Sequence, residues 1–311
     1  MSKAIVTGGA GFIGSHIAEE LIKRGYRVVI IDNLSTGRLS NLEPILGNND
    51  TDFIQGSITN LQLLRKLFYR VDYVFHQAAL PSVPRSIKNP RASHATNATG
   101  TLNVLMAARA NGVKKVIFAS SSSVYGDTPT LPKVEAMVLD PQSPYAVTKL
   151  AAEHYCRVFE RVFGLKTACL RYFNVYGPRQ DPDSPYAAVI PFFINSVIMG
   201  KPPVIFGNGE QTRDFTFVKD VVEANILAAE STATGVFNIG SGARVTINHL
   251  AELVIKLAGD KRLKIVYRDA RPGDVLHSLA SITRAAAFGY RPKYTLEQGL
   301  QEVVSYFRKS A

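Results

Sequence analysis

The sequence predicts an α/β fold built on a doubly wound parallel sheet, with a smaller α/β lobe toward the C-terminus. Two observations carry this prediction. Apolar strand-like segments alternate with amphipathic helical segments, a pattern typical of parallel sheets that have helices on both faces. The N-terminal segment also runs from a strand through a glycine-rich turn into a helix. The 311 residues, 46% of them hydrophobic, are sufficient for such a sheet and a lobe.

The first turn of the chain has the spacing of a dinucleotide-binding motif. Gly8, Gly11 and Gly14 follow the first strand as GxxGxxG, and Asp32 ends the second strand eighteen residues after Gly14. Glycines at these places permit a sharp turn, close approach of backbone to a pyrophosphate, and close packing of helix on sheet. The N-terminus of the following helix suits a diphosphate. Together these features predict a Rossmann fold with a bound dinucleotide.

Asp32 also predicts which dinucleotide is bound. A carboxylate at this position accepts hydrogen bonds from a ribose 2′-hydroxyl and repels a 2′-phosphate, which favours NAD over NADP. The polar turn 33–38 follows, where it can surround the adenine ribose. Arg38 at the end of this turn weakens the preference, because a guanidinium tolerates a phosphate.

The remaining elements follow in order. Predicted strands cover 52–58, 72–76, 116–119 and 166–172, with predicted helices over 61–69, 90–111 and 145–163. After Asn174 come a Pro-rich loop (178–191), helices 189–199 and 217–230, and strands 204–206 and 236–239, the last expected to rejoin the sheet. We predict a nucleotide-binding domain formed by 1–174 and 214–240, and a lobe formed by 175–213 and 241–311 that binds a second ligand.

Composition and charge narrow the function classes. Lys and Arg total 36 against 25 Asp and Glu, a balance of +11 that could indicate nucleic acid. The basic residues are scattered, without long runs or interleaved aromatics, so an anionic small substrate or a solvated surface explains them as well. No apolar run approaches the roughly 18 residues of a membrane helix. The first strand begins at Lys3, which leaves no room for a signal peptide and predicts a cytoplasmic protein.

The two cysteines, Cys156 and Cys169, lie in apolar helical and strand contexts. We predict two buried thiols in a reducing compartment. No metal site is predicted.

A catalytic pair is predicted at the start of the helix 145–163. Tyr145 and Lys149 form YxxxK, and residues four apart lie on one face of a helix. A tyrosine with the ordinary pKa of about 10 is a poor base at neutral pH. A neighbouring ammonium, joined by the positive charge of an oxidised nicotinamide, stabilises the phenolate and lowers that pKa. The serines 120–123 follow the fifth strand, where a hydroxyl can reach the same substrate oxygen.

These motifs resemble the extended short-chain dehydrogenase/reductase family over nearly the whole chain. Within that family the sequence is most similar to the UDP-sugar 4-epimerases, and most closely to those acting on UDP-N-acetylglucosamine. The segments that carry the resemblance are 8–14, 32–33, 77–85, 120–126, 143–149, 171–177 and 271–274. Each is short, but their order and spacing together are hard to obtain by chance.

The resemblance implies NAD-dependent epimerisation at C4 of a UDP-hexose through a 4-keto intermediate. It implies that Ser121 hydrogen-bonds the sugar O4, that Tyr145 is the acid/base and that Lys149 binds the nicotinamide ribose. The implied cofactor-binding residues are Gly8, Gly11, Phe12, Ile13, Asp32, Asn33, Ser35, Thr36, Gly37, Ser57, Ile58, Gln77, Ala78, Ala79, Asn97, Tyr145, Lys149, Tyr172 and Phe173. The implied substrate-binding residues are Ser82, Ser121, Ser123, Tyr145, Asn174, Ala188, Val189, Phe206, Arg213, Arg271, Asp274 and Ser278. At Ser57 the family usually has an acid, and a serine can still hydrogen-bond adenine.

Other reactions within the family stay open. Nucleotide-sugar dehydratases and decarboxylases carry carboxylates where this chain has Ser122 and Ser123, which argues against elimination. UDP-glucuronate 4-epimerases share the serine-rich stretch but usually lack Asn174. A simple ketose reductase would release its reduced cofactor. A non-catalytic NAD-sensing protein would not need Ser121, Tyr145 and Lys149 together.

The resemblance also points to the sugar and to the assembly. A bulky tyrosine at the position of Ser278 blocks an N-acetyl group at C2 in this family, so a serine predicts that N-acetylated and plain UDP-hexoses both fit. The alternative is that Ser278 only caps a turn. Relatives form homodimers through the helices that contain Asn97 and Tyr145, and the outer faces of 102–110 and 156–163 are apolar enough for this.

Overall fold

The computed structural model describes residues 1–181, 188–258, 262–270 and 276–310. The strands are, in chain order, β1 (Lys3–Thr7), β2 (Arg27–Asp32), β3 (Thr51–Gln55), β4 (Tyr73–His76), β5 (Lys115–Ser121), β6 (Lys166–Tyr172), β7 (Val175–Tyr176), β8 (Val204–Phe206), β9 (Thr212–Arg213), β10 (Thr216–Phe217), β11 (Gly235–Ile239), β12 (Val245–Thr246) and β13 (Val266–Arg268). The helices are α1 (Phe12–Lys23), α2 (Leu61–Leu67), α3 (Val83–Lys88), α4 (Pro90–His94), α5 (Gly100–Ala110), α6 (Pro144–Phe163), α7 (Val189–Ile198), α8 (Val218–Glu230), α9 (Ile247–Ala258), α10 (Thr283–Ala286) and α11 (Leu296–Ser310).

The central sheet has seven parallel strands in the order β11-β6-β5-β4-β1-β2-β3. This confirms the predicted doubly wound sheet and the predicted return of the strand at 236–239 to its edge. The strand order reverses between β1 and β4. In open parallel sheets a crevice forms at that point, outside the carboxyl ends of the strands.

The two faces of the sheet bury alternate residues, as the period of two along a strand requires. On β1, Ala4 and Val6 pack with α1 and α8 in one apolar cluster. Ile5 points the other way and packs with residues of α2, α5 and α6. Strand β1 is thereby covered by helices on both faces.

Several predicted elements differ in their bounds from the observed ones; the strand predicted over 52–58, for example, is β3 (Thr51–Gln55). The helix predicted over 90–111 is interrupted by a π-helical turn at Ala95–Thr99, between α4 and α5. Strand β5 extends two residues beyond the predicted end at 119, because Ser120 and Ser121 remain paired with Arg171 and Tyr172 of β6. The serine stretch therefore begins inside the sheet.

A further apolar cluster lies among α7, α9 and α11, with Phe193, Leu250 and Val303 fully buried in it. Asp214 joins this region to the sheet edge. Its buried carboxylate accepts hydrogen bonds from the backbone N–H groups of Ser241, Gly242 and Ala280. None of the described helices has both the length and the apolarity needed to span a membrane.

Candidate active site

The glycine-rich turn after β1 lies in direct contact with the chain that follows β4. Gly8 has φ +69°, and a Cβ there would lie 2.6 Å from the backbone nitrogen of Ala78. A Cβ on Gly14 would lie 2.2 Å from the carbonyl oxygen of Gly8. Only glycine fits either place. Helix α1 then begins with Gly11 as N-cap and without a side-chain cap, which leaves its first N–H groups for an anion.

Asp32 lies beside this turn at the end of β2. Its Oδ2 accepts a hydrogen bond from the Ala10 N–H (3.0 Å) and its Oδ1 from the Leu34 N–H (2.8 Å). Burial raises the pKa of Asp32, and these two hydrogen bonds oppose the shift. Each carboxylate oxygen keeps a second lone pair, so a ribose hydroxyl can still be accepted. Arg38 is ion-paired with Asp181 (2.8 Å), at exposed side chains.

One cavity brings most of the predicted cofactor residues together. The predicted cofactor-binding residues on the wall of this cavity are Gly8, Gly11, Phe12, Ile13, Asp32, Asn33, Ser35, Thr36, Ser57, Ile58, Gln77, Ala78, Ala79, Tyr145, Lys149 and Tyr172. It is also lined by residues outside the predicted cofactor-binding set: Gly14, Pro81, Thr96, Ala119 and Ser120. A glycine turn without space for side chains, an uncapped helix N-terminus and a carboxylate at the ribose position fit a dinucleotide.

Three predicted cofactor residues are not on the wall of this cavity. Gly37 lies against the Asp32 carboxylate. Asn97 is buried, and its amide is bonded to the backbone N–H (2.7 Å) and carbonyl (3.1 Å) of Leu80 and to the Thr148 hydroxyl (3.1 Å). Phe173 is fully buried against Tyr125, with ring centroids 6.2 Å apart. Asn97 therefore holds the loop after β4 in place, and Phe173 is part of the core.

A polar cluster below the cavity was not indicated by any motif. Asn225 of α8 is fully buried, donates to the Tyr172 hydroxyl (2.8 Å) and accepts from the Gln77 amide (3.2 Å). The Tyr172 hydroxyl also lies 3.2 Å from Gln77 Oε1. Gln77 and Tyr172, which line the cavity, are thus oriented by Asn225, which lies behind its wall.

Helix α6 carries the predicted acid/base pair into the cavity. Ser143 caps the helix by accepting a hydrogen bond from the Ala146 N–H (3.2 Å), and Pro144 stands at the first helical position. Tyr145 is fixed further because its N–H donates to Ser86 Oγ (3.0 Å). Lys149 follows one turn later, with Nζ 5.8 Å from the centroid of the Tyr145 ring and 2.8 Å from the Ala119 carbonyl oxygen.

Burial disfavours the charged forms of both residues. It raises the pKa of Tyr145, which the hydrogen bond with Ser121 only partly opposes. It lowers the pKa of Lys149 to about 8, although the negative charge of Glu153 opposes that shift. The predicted trio of Ser121, Tyr145 and Lys149 is therefore brought together at the carboxyl end of β5.

Five of the predicted substrate residues line a second cavity, which follows the first along the chain. Tyr172 lines the first cavity, and Asn174, two residues on, lines the second. Ala188, Val189, Phe206 and Arg213 line the second cavity as well. It is completed by residues that the sequence did not indicate, mostly apolar: Val175, Tyr176, Ile190, Phe193, Val204, Ile205, Gln211, Phe215 and Ile247.

Asn174 is held in an unusual backbone conformation, with φ +29°. Its amide nitrogen donates to the carbonyl oxygen of Asp214 and to Ser278 Oγ, each at 3.0 Å. Ser278 is thereby in direct contact with a predicted diphosphate-binding residue. Arg213 Nη1 donates to the carbonyl oxygens of Thr212 (3.0 Å) and Leu276 (3.2 Å).

The other predicted substrate residues are placed as follows. Ser82 caps α3 from a backbone with φ +92° and accepts a hydrogen bond from the Arg85 N–H (3.3 Å). Ser123 donates its N–H to Ser121 Oγ (3.1 Å), and its own Oγ is buried with no hydrogen-bond partner among the described residues. Arg271 and Asp274 lie outside the described residues.

The fold and this site define an enzyme of the extended short-chain dehydrogenase/reductase type, with a dinucleotide cavity and a tyrosine–lysine pair at its edge. The chain belongs to the NAD dependent epimerase/dehydratase family, whose model matches residues 4–240. This confirms the family predicted from the motifs, and with it NAD as the cofactor.

Individual relatives are similar over essentially the full length. A solved UDP-N-acetylglucosamine 4-epimerase from Methanobrevibacter ruminantium, in complex with UDP-N-acetylmuramic acid, is 44% identical (TM-score 0.96, covering 100% of this chain and 99% of that one). A UDP-glucose 4-epimerase from Thermotoga maritima, solved with UDP-glucose, is 42% identical (TM-score 0.93, 99% of each chain). A putative UDP-glucose 4-epimerase from Methanocaldococcus jannaschii is 38% identical over 98% of each chain.

The environment of Asp32 leads to a prediction about cofactor choice. Replacing Asp32 by Asn removes the charge that repels a 2′-phosphate, so we expect the ratio of NADP to NAD affinity to rise about tenfold, equal to about 1.4 kcal/mol. Competition between the two dinucleotides, followed by calorimetry on protein stripped of cofactor, measures this ratio. Asp52→Asn makes the same charge change on exposed β3, where Asp52 is paired only with Arg27, and should leave the ratio unchanged. An unchanged ratio in Asp32→Asn would contradict the role of this carboxylate.

Proposed function

We propose that the protein interconverts the C4 epimers of UDP-hexoses, both the N-acetylglucosamine/N-acetylgalactosamine pair and the glucose/galactose pair. The observation that carries the proposal is that Tyr145 and Lys149 line the dinucleotide cavity, with Ser121 beside Tyr145 at the end of β5. Within this proposal, the domain of 1–174 and 214–240 holds NAD and the lobe of 175–213 and 241–311 holds the UDP-sugar.

The residues of the chain manage the proton in this reaction. The Tyr145 phenolate takes the proton of the C4 hydroxyl, and the Ser121 hydroxyl orients the same oxygen. The Lys149 ammonium stabilises the phenolate and is itself held by the Ala119 carbonyl. Bound NAD would supply the hydride acceptor for C4 and the hydride that returns to the opposite face of the keto sugar. Between these two steps the 4-keto sugar turns about its link to the diphosphate, and Tyr145 gives the proton back.

The second cavity keeps the intermediate from escaping while it turns. Arg213 and Asn174 are the groups proposed to hold the diphosphate. Ala188, Val189 and Phe206 form an apolar wall suited to the uridine. Tight binding at the diphosphate leaves the hexose free to rotate.

The end of β5 argues against elimination or decarboxylation. Those reactions need a carboxylate after the strand-end hydroxyl, to protonate a leaving group or to assist its departure. Ser122 and Ser123 occupy these places, and the Ser123 Oγ is buried without a hydrogen-bond partner in the described part of the chain. A hydroxyl so placed can bond a sugar hydroxyl, but it is not an acid at neutral pH.

The first test removes the Tyr145 hydroxyl. Tyr145→Phe should lower kcat at least about 100-fold, because it removes the proton acceptor. Proton NMR of the products from UDP-N-acetylglucosamine, UDP-glucose and UDP-glucuronate, with NADH absorbance followed in parallel, identifies the reaction. Tyr155→Phe on the same helix, at a side chain 39% exposed, is the matched control and should be fully active. A 4-keto-6-deoxy or pentose product from the wild type would contradict epimerisation.

The second test concerns the choice of sugar. Ser278→Tyr adds bulk beside Asn174, so we expect kcat/KM for UDP-N-acetylglucosamine to fall at least about tenfold relative to UDP-glucose, since one tenfold step is about 1.4 kcal/mol. Ser278→Ala removes the hydrogen bond to Asn174 without adding bulk and should leave the ratio of the two sugars unchanged. An equal loss on both sugars in Ser278→Tyr would show that the position acts on binding in general.

We also propose a homodimer. Helix α6 exposes an apolar face on which Val147, Tyr155, Val158 and Val162 are 39–63% exposed, and their spacing of three to four residues places them on one side of the helix. Light scattering should give twice the chain mass of 34.0 kDa. Val158→Glu should yield a monomer, whereas Val138→Glu, at a residue 87% exposed outside this face, should not. A monomeric wild type would contradict the proposal.

A cytoplasmic location is proposed on the state of the cysteines. Cys156 and Cys169 are buried and unbridged, as is usual for proteins of reducing compartments. Cell fractionation checks this directly.

A further inference from the structure

One face of α6 contacts three consecutive residues at the end of β5. Tyr145, Lys149 and Glu153 are spaced by four and therefore share that face. The side chains of Tyr145 and Ser121 lie close enough to interact, and Lys149 Nζ donates to the Ala119 carbonyl (2.8 Å). Between them, Glu153 Oε1 accepts a short hydrogen bond from Ser120 Oγ (2.5 Å). Two members of this set are the proposed acid/base and its ammonium, and the third has no part in the reaction derived above.

Glu153 is deeply buried and strongly bonded. Its side chain is 4% exposed, and its two oxygens accept from Arg171 Nε (2.9 Å) and Nη2 (2.7 Å). Arg171 lies directly across from Ser120 in the register of β5 and β6. Burial works against the charge of Arg171, but its bonds with Glu153 outweigh burial and raise its pKa. A charged pair in such a position is costly to desolvate, and removing one partner is strongly destabilising.

We propose that Glu153 is a positioning residue for the proton transfer, which ties the end of β5 to Arg171 and places a negative charge one helical turn from Lys149. The inference rests on the proposed function. Glu153 fixes the position of α6 along β5. This position in turn sets the distance between the Tyr145 and Ser121 hydroxyls. Its charge also favours the ammonium form of Lys149.

Among the groups around Lys149, Glu153 is the main one that stabilises the ammonium form of its side chain. Among the described residues, the titratable groups close to Lys149 include Tyr145, Glu153 and Cys156 on α6 and His76 on β4. Cys169 and Arg171 on β6 contact Cys156 and Glu153 in turn. Burial lowers the pKa of His76 to about 3, so that its imidazole is neutral. The contact with Cys156, together with burial, raises the pKa of Cys169 and keeps its thiol neutral. Since burial lowers the pKa of Lys149 to about 8, losing Glu153 would bring it into the neutral range.

The test replaces Glu153 by Gln, which keeps the shape and removes the charge. We expect the pKa of Lys149 to fall by about one unit, because an opposite charge nearby is lost and Arg171 is left uncompensated. Carbon-13 NMR of ε-labelled lysines, with Lys149 assigned from a Lys149→Met sample, measures this without turnover. The alkaline limb of the kcat/KM profile should move down by the same amount, and kcat at pH 7.5 should fall about threefold with KM little changed.

The matched control is Glu160→Gln. It makes the same charge change on the same helix, at a residue that is hydrogen-bonded to Thr167 at the start of β6. It should leave the Lys149 titration and the pH profile as in the wild type. If Glu153→Gln itself left the Lys149 pKa and the kcat/KM pH profile unchanged, the proposal would be overturned. Glu153 would then serve only as the ion-pair partner of Arg171.

A double variant keeps the test decisive if Glu153→Gln does not fold. Glu153→Gln with Arg171→Met removes both members of the buried ion pair, so no buried guanidinium is left without its carboxylate and the variant should fold. Its Lys149 pKa should lie between those of the single variant and the wild type, and a wild-type value would overturn the proposal. Because the NMR arm needs no substrate, a wild type inactive on every UDP-sugar would refute the proposed function separately.

Discussion

The rest of the site depends on a close backbone approach between the turn after β1, the start of α1 and the chain after β4. A side chain at Gly14 would overlap the Gly8 carbonyl, and one at Gly8 would overlap the backbone of Ala78. These contacts leave the first turn of α1 directly over the carboxyl ends of β1 and β4, where the strand order reverses. The floor of the cofactor cavity is therefore built of backbone, whose position does not vary with side-chain rotamers.

The electrostatics of the acid/base pair are set by burial, which acts against both working forms. It raises the pKa of Tyr145 and lowers that of Lys149. Without a cofactor, the protein therefore favours a neutral Tyr145 phenol beside a Lys149 ammonium that loses its proton more easily than a free lysine. A phenolate forms readily only when further positive charge lies nearby. An oxidised nicotinamide bound in the cofactor cavity, which both residues line, would supply such a charge. Proton abstraction is thereby linked to the presence of the oxidised cofactor, which suits a reaction that begins with oxidation.

The parts of the molecule that were predictable from the sequence are those with a local signature. The glycine turn, the alternation of strands and helices, and the pair Tyr145 and Lys149 each depend on spacings of a few residues. Strand β5 was predicted two residues short because its end is fixed by pairing with β6, a partner that local periodicity does not reveal.

The polar contacts between distant segments were not predictable for the same reason. Glu153 meets Ser120 across 33 residues, and Asn225 meets Gln77 across 148. A buried polar residue in a helix has no periodic signature that separates it from a solvated one, and only the assembled sheet brings its partner near. Asn97 illustrates the reverse case. Its place in the family pattern predicted a cofactor contact, whereas its amide is bonded to Leu80 and Thr148.

The contact between Asn174 and Ser278 joins two features that the sequence treated separately. Asn174 adopts a left-handed backbone that few residues other than glycine adopt easily. Its amide is bonded to Asp214, whose carboxylate is held by the chain around Ser241 and Ala280. Ser278 therefore belongs to the support of a proposed diphosphate-binding residue as well as to the proposed sugar pocket. A serine meets both needs, since it is small enough to leave space and polar enough to accept from Asn174. A larger residue there would change the space and the hydrogen bond at once, so the identity of this single residue bears on both the sugar and its diphosphate.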